Sequence, residues 1–154
     1  MIAKVVLVGL LLVVASSRNY QISYKQCDSQ WRSQKLGFTS LTLCSHGCLV
    51  SSVAMALSAI GKSFNPGTLN SWLKDNNGYD LNGNFRWWSV YRLGLKYAGK
   101  IRKYRIAVNL KVGNVVMLKV RSGHHWVLAK SMSGNTIYVN DPGYWNTSYR
   151  LSDV

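Results

Sequence analysis

No glutamate occurs anywhere in these 154 residues, and the five acids are all aspartate: Asp28, Asp75, Asp80, Asp141 and Asp153. Opposed to them are 19 lysines and arginines, which leaves a formal net charge of +14 at pH 7. A glycosidase that works through paired carboxylates needs two well-placed acids, so five scattered aspartates fit that chemistry poorly. Internal repeats, low-complexity tracts and Pro-, Gly- or Ser-rich linkers are also missing, so nothing divides the sequence. The apolar run Val5–Ala15 has 11 residues, well short of the ~20 that cross a bilayer as a helix. Lys4 before it, and Ala15, Ser16 and Ser17 at its end, give it the layout of a secretory signal peptide cleaved after Ala15 or Ser17. The expected organisation is a leader over residues 1–17 and a single domain over residues 18–154. Such a protein is secreted and keeps no stable membrane span after cleavage.

Cysteine is scarce too. Three cysteines in an exported chain leave one over. A Cys27–Cys44 disulfide would close a loop worth ~3 kcal/mol of chain entropy and would leave Cys48 free. Either pairing that includes Cys48 would silence it as a nucleophile.

What the sequence does have is Cys44–Gly61, CSHGCLVSSVAMALSAIG. Leu49, Val53, Ala56, Leu57 and Ile60 recur at three- and four-residue spacing, which predicts one helix stopped at Gly61. Small residues between them suit a helix packed on several sides. A helix that begins near Cys48 sets the sulfur among unpaired backbone N–H groups at the positive end of the helix dipole. A thiol there is expected to lose its proton more readily and to serve as a nucleophile.

Elsewhere, Tyr20–Tyr24 alternates polar and apolar residues and reads as a short strand or extended arm, followed by loop through Thr42. Asn65 can cap a second helix that Pro66 opens, with Leu69, Trp72 and Leu73 on one face. Asp75–Asn84 reads as loop, Phe85–Tyr97 as helix and Arg105–Lys111 as a short helical turn. From Asn114 the period changes to two, which predicts strands over Val115–Val120, His125–Ser131 and Thr136–Asn140. Ser133-Gly134-Asn135 joins the last two as a hairpin, and Asp141-Pro142-Gly143 is expected to end the sheet. Helices first and antiparallel strands second make an α+β domain.

A thiol nucleophile needs a base within reach, and the base needs an orienting group. His46 lies two residues before Cys48; His124 and His125 begin a strand, where alternation lets only one of the pair look toward the helix start. Asp141 is the best-placed orienting group, with Asn140 as the fallback. Gln26 is a candidate donor to an oxyanion. Cys44-x-His46-x-Cys48 lacks the usual two-residue gap of a metal site and a fourth ligand, so no metal is expected.

Five stretches, in this order, resemble the C39-like group of papain-fold cysteine peptidases. They are Gln26-x-Asp28-x-x-Trp31, Gly47-Cys48-Leu49-Val50-Ser51-Ser52-Val53-Ala54-Met55, Pro66-x-x-Leu69-Asn70, His125-Trp126-Val127 and Asn140-Asp141-Pro142-Gly143. The resemblance implies a papain-like fold, with a core helix bearing the cysteine packed on an antiparallel sheet bearing the histidine. It assigns the thiol to Cys48, the base to His125, the third member to Asp141 and the oxyanion glutamine to Gln26. Many relatives carry glycine where this chain has His124. No cofactor is expected.

The function this implies is cleavage of amide or peptide bonds, on a peptide or peptidoglycan-like substrate that the positive surface would prefer anionic. A second class is a non-catalytic extracellular module on the same fold, a coat or filament subunit capable of self-assembly. The basic and aromatic segment Arg86–Arg105 has the composition of a nucleic-acid contact, but the export signal speaks against such a partner. Asn146-Thr147-Ser148 is an N-glycosylation sequon.

Overall fold

Apolar and small side chains on every side make residues 48–59 a helix that has to be buried. In the computed structural model, which describes residues 3–7, 9–12, 18 and 20–154, the first two stretches by backbone alone, this helix lies at the centre. It is α2 (Cys48–Ala59), preceded by the single turn α1 (Leu43–His46). Val50 through Leu57 and Ala59 are all buried, the condition under which a helix shows no polar stripe. Gly61, at φ 81°, ends the helical stretch in the left-handed region that glycine enters freely. The next helix, α3 (Pro66–Asp75), opens with Asn65 accepting from the Thr68 N–H at 2.8 Å and Pro66 in its first turn.

The C-terminal half is the antiparallel run β4 (Asn114–Val120), β5 (His125–Ser133), β6 (Thr136–Asn140) and β7 (Ser148–Arg150). Strand β3 (Leu95–Lys100) lies at the other edge, and β1 (Ala3–Leu7) and β2 (Gly9–Leu12) stand between it and β4. The expected cleavage points at Ala15 and Ser17 lie outside the described residues.

Alternation along the central strands feeds two cores. Val115, Met117 and Leu128 pack with α2 and α3 on one side. Val116, Leu118, Val120, Val127, Ala129, Ile137 and Val139 pack with Ile106 of the short helix α4 (Ile106–Lys111) on the other. This is a mixed arrangement of helix and antiparallel sheet, an α+β fold.

Two expectations need correction, and one open alternative is decided. Phe85–Tyr97 is not a helix: only Ser89–Leu93 forms a 3-10 turn, Gly94 ends it at φ 94°, and the chain enters β3. Gly94 interrupts the segment, and its rings are claimed by tertiary contacts. Trp87 packs on Phe85, Tyr97 and Trp126 with ring centroids 5.0, 5.7 and 6.0 Å apart. Of the two forms expected for Tyr20–Tyr24, it takes the arm and not the strand; the carbonyls of Tyr20 and Ile22 accept from the Asn140 amide, at 3.0 and 3.1 Å. The sheet also continues past Asp141-Pro142-Gly143, because β7 pairs with β6.

Candidate active site

Cys48 opens α2 with no linker between it and α1. Gly47 makes that possible: a Cβ there would stand 2.3 Å from the Leu43 carbonyl oxygen and 2.8 Å from its Cα. No side chain other than hydrogen lets the two helices join so tightly, so Gly47 fixes where the sulfur emerges. Cys48 is half-buried and is a free thiol, whereas Cys27 and Cys44 are joined in a disulfide.

Strand β5 brings His125 to the same place. The Ser52 hydroxyl, one turn into α2, donates to the Trp126 carbonyl at 3.3 Å and ties the start of β5 to the helix. His125 is buried, and its Nε2 lies 2.6 Å from Asp141 Oδ1. The ring also interacts with the Cys48 side chain. Burial alone would lower the basicity of this imidazole. The Asp141 hydrogen bond, the contact with Cys48 and the negative charge of both outweigh it and raise the pKa to about 9.

Asp141 is almost inaccessible, yet it remains readily ionised. Burial pushes its pKa up; hydrogen bonds from His125, Tyr149 and the N–H groups of Tyr144 and Gly143 hold it below the usual carboxylate range. Oδ1 accepts the Gly143 and Tyr144 N–H groups at 2.9 Å each, and Oδ2 accepts the Tyr149 hydroxyl at 2.6 Å. The Lys25 ammonium braces this loop from outside by donating to the Asp141 and Tyr144 carbonyls, at 2.7 and 2.6 Å. Asn140, the alternative orienting group, faces the N-terminal arm instead.

Gln26 is buried beside them. Its backbone N–H donates to the Pro142 carbonyl at 2.9 Å, and its Nε2 donates to the Cys44 carbonyl at 2.6 Å. An amide nitrogen carries two hydrogens, so one remains for a substrate oxygen. The Cys27–Cys44 disulfide sits beside Gln26 in sequence and pins this segment to α1. Gly143 closes the site: a Cβ there would come 2.7 Å from His125 Cε1 and 3.3 Å from Gln26 Oε1.

Four sequence-predicted residues, Cys48, His125, Asp141 and Gln26, therefore converge. His46 and His124 do not join them; both are exposed, His46 at the end of α1 and His124 in the β4–β5 turn. Asn146 is exposed in the segment before β7, where its side chain meets the Tyr149 hydroxyl. Among the described residues no group of His, Cys, Asp or Glu is arranged to hold a metal, and Cys44 is occupied by its disulfide. Sequence reasoning missed Tyr149 and Tyr144. Tyr149 is buried, pairs with Ile137, and has its pKa raised to about 12 by burial and by the Asp141 hydrogen bond. Its signal was the pattern polar–apolar–polar in Ser148–Arg150, too short to stand out. Tyr144 meets the His125 ring edge-on at 5.0 Å.

A free thiol, a carboxylate-bound imidazole and a spare amide N–H on an α+β scaffold are the equipment of the cysteine peptidase class. The chain matches the Peptidase_C39 like family over residues 23–153 and belongs to it. No curated protein and no solved structure matches it.

Proposed function

We propose that this protein is an exported cysteine peptidase or amidase of papain-like design that works through Cys48, His125, Asp141 and Gln26. The observation that carries this reading is the buried His125 ring, 2.6 Å from the Asp141 carboxylate and interacting with the free Cys48 thiol. In the first step the Cys48 thiolate attacks the amide carbonyl carbon, and a C–S bond forms as the carbonyl π electrons move to oxygen. The Gln26 amide and the Cys48 backbone N–H donate to that oxyanion. Imidazolium His125 gives its proton to the departing amine as the C–N bond breaks, which leaves a thioester. Neutral His125 then takes a proton from water, the hydroxide displaces the thiolate, and the carboxylic acid product leaves.

Export is supported by the leader-like segment over residues 1–17 and by the Cys27–Cys44 disulfide, a bond favoured in oxidising compartments. Among the described residues no helix is long and apolar enough to cross a membrane. A net charge of +14 favours anionic targets, such as acidic peptides or peptidoglycan cross-bridges. Asn146 is proposed as the glycan acceptor of its sequon.

The test is Cys48→Ala, with circular dichroism as the check on folding. Loss of all amide cleavage shown by the wild-type chain is the expected result, and retained cleavage would sink the mechanism. Iodoacetamide provides a second readout. Fast alkylation of the native protein at neutral pH is expected, whereas labelling only after denaturation would point to the non-catalytic module.

A further inference from the structure

Among the described residues, few lysine or arginine side chains have a carboxylate close by. Among the described residues the one ion pair is His125–Asp141, although the chain carries 19 lysines and arginines. Beside the candidate site, the β4–β5 turn and the β7 segment border an open cleft of about 980 Å³ lined by Lys119, Arg121, Asn146, Tyr149 and Arg150 among others. The one acidic side chain in its wall, Asp153, already accepts the Arg150 backbone N–H at 3.0 Å and the Ser152 hydroxyl at 3.1 Å.

This cleft and the candidate site share a wall. Tyr149 lines the cleft and donates its hydroxyl proton to Asp141. The Arg121 guanidinium lies 4.0 Å over the Tyr144 ring, and that ring meets His125 at a centroid distance of 5.0 Å. The cation is thus no more than about 9 Å from the imidazole centre. Each residue of an extended peptide spans ~3.3–3.6 Å, so a side chain within three residues of the reacting carbonyl can reach the cation.

Arg121 is kept in this position against its own backbone preference. Arg121, Ser122 and Gly123 have φ of 55°, 56° and 82°, three consecutive residues in the left-handed region. Glycine occupies that region freely, while an arginine there is strained. The guanidinium stacks on the Tyr144 ring, yet among the described residues it has no carboxylate at ion-pair distance, so its charge is open to a ligand. We propose that Arg121 heads a subsite for an acidic side chain of the substrate, a glutamate or aspartate within three residues of the bond cleaved. The proposal rests on the hydrolase reading and assigns its preference for an acidic peptide to one residue and one subsite.

The test uses the full chain and a proteome-derived peptide library, with cleavage positions read by mass spectrometry. Asp or Glu is expected at one fixed position near the cleaved bond, and a matched Glu/Gln peptide pair then gives the preference as a ratio of kcat/KM. Arg121→Gln is expected to lower that ratio about tenfold, the effect of losing one charge-assisted hydrogen bond. Arg121→Lys should retain most of it, and Lys62→Gln, the same charge change beyond the far end of α2, should leave it unaltered. Absence of an acidic preference, or a preference that survives Arg121→Gln, overturns the subsite. If the wild-type chain cleaves nothing, the hydrolase reading fails separately, and fluorescence anisotropy of a labelled hexaglutamate peptide on the Cys48→Ala chain decides the subsite. Binding weakened about tenfold by Arg121→Gln but not by Lys62→Gln supports it; equal weakening by both, or by neither, refutes it.

Discussion

Asp141→Asn isolates what the carboxylate does for the imidazole. His125 Nε2 lies 2.6 Å from Asp141 Oδ1, with the two side chains 8% and 0% exposed, so water screens the pair little. The imidazole pKa is raised to about 9 although burial opposes the charge, and Asp141 contributes both a hydrogen bond and a negative charge to that rise. Asparagine keeps the shape and removes the charge. An opposite charge at this range raises a pKa by about 1–3 units, so the variant imidazolium should lose its proton about one to two pH units earlier. In the proposed mechanism the imidazolium protonates the leaving amine, so wild-type kcat/KM falls as pH rises through about 9. The alkaline limb of Asp141→Asn should lie between about 7 and 8, and its plateau should drop by about 10²–10⁴-fold. Stability follows the same sign. A histidine whose folded pKa exceeds its unfolded value of 6.5 contributes stability that is complete below pH 6.5 and lost as pH rises through about 9. At ~1.4 kcal/mol per pKa unit that is about 3 kcal/mol in the wild-type chain, and denaturant titrations from pH 6 to 10 should show it shrink in the variant. Asp141 works in the opposite sense: its folded pKa is depressed, so its contribution is present above the usual carboxylate pKa and is lost as pH falls through the folded value. An alkaline limb still at about 9 in Asp141→Asn would refute the claim that this carboxylate tunes His125.

Three further substitutions bear on the same structure. Tyr149→Phe removes the hydroxyl that donates to Asp141 Oδ2 at 2.6 Å; a loss of about 1–3 kcal/mol in stability is expected, with kcat reduced more than KM is raised. Gly143→Ala drives a methyl to within 2.7 Å of His125 Cε1, so amide cleavage should fall steeply, and crystallography of the variant should show the ring displaced from Asp141. Leu57→Ala empties a fully buried position of α2 and should lower unfolding stability by about 2–5 kcal/mol, while the kinetic pH profile of what remains folded stays unchanged.

How much of this could be read beforehand depended on whether one local pattern dominated. Helix α2 was legible because its apolar spacing, its small residues and Gly61 agree. The β5–β6 hairpin was legible because period-two alternation and the Ser133-Gly134-Asn135 turn agree as well. Phe85–Tyr97 was not, since its conformation is decided by partners far away in sequence: the Arg86 N–H donates to the Gly78 carbonyl at 2.8 Å, and Trp87 joins a ring cluster that includes Trp126. At the site, residue types and order pointed to Cys48, His125, Asp141 and Gln26. Sequence left Asn140 and Asp141 as alternatives, and they part because adjacent residues turn to different neighbours, Asn140 toward the arm carbonyls and Asp141 toward His125. Tyr149 escaped notice because a three-residue strand carries too little pattern to be recognised.

The hydrogen bonds on Asp141 also decide what kind of partner it can be. A buried carboxylate with a single donor could relieve its desolvation by taking the imidazole proton. This one has four donors: the His125 ring, two backbone N–H groups and the Tyr149 hydroxyl. Each stabilises the anion over the acid, and its pKa is accordingly depressed despite burial. Protonating it would forfeit those bonds in a place water hardly reaches. In the proposed mechanism the proton therefore stays on His125 beside the Asp141 carboxylate, which acts by its charge and its geometry and not as a proton carrier. On that reasoning the chain's scarcity of acids poses no obstacle, because one carboxylate, fully satisfied, is all the proposed chemistry requires.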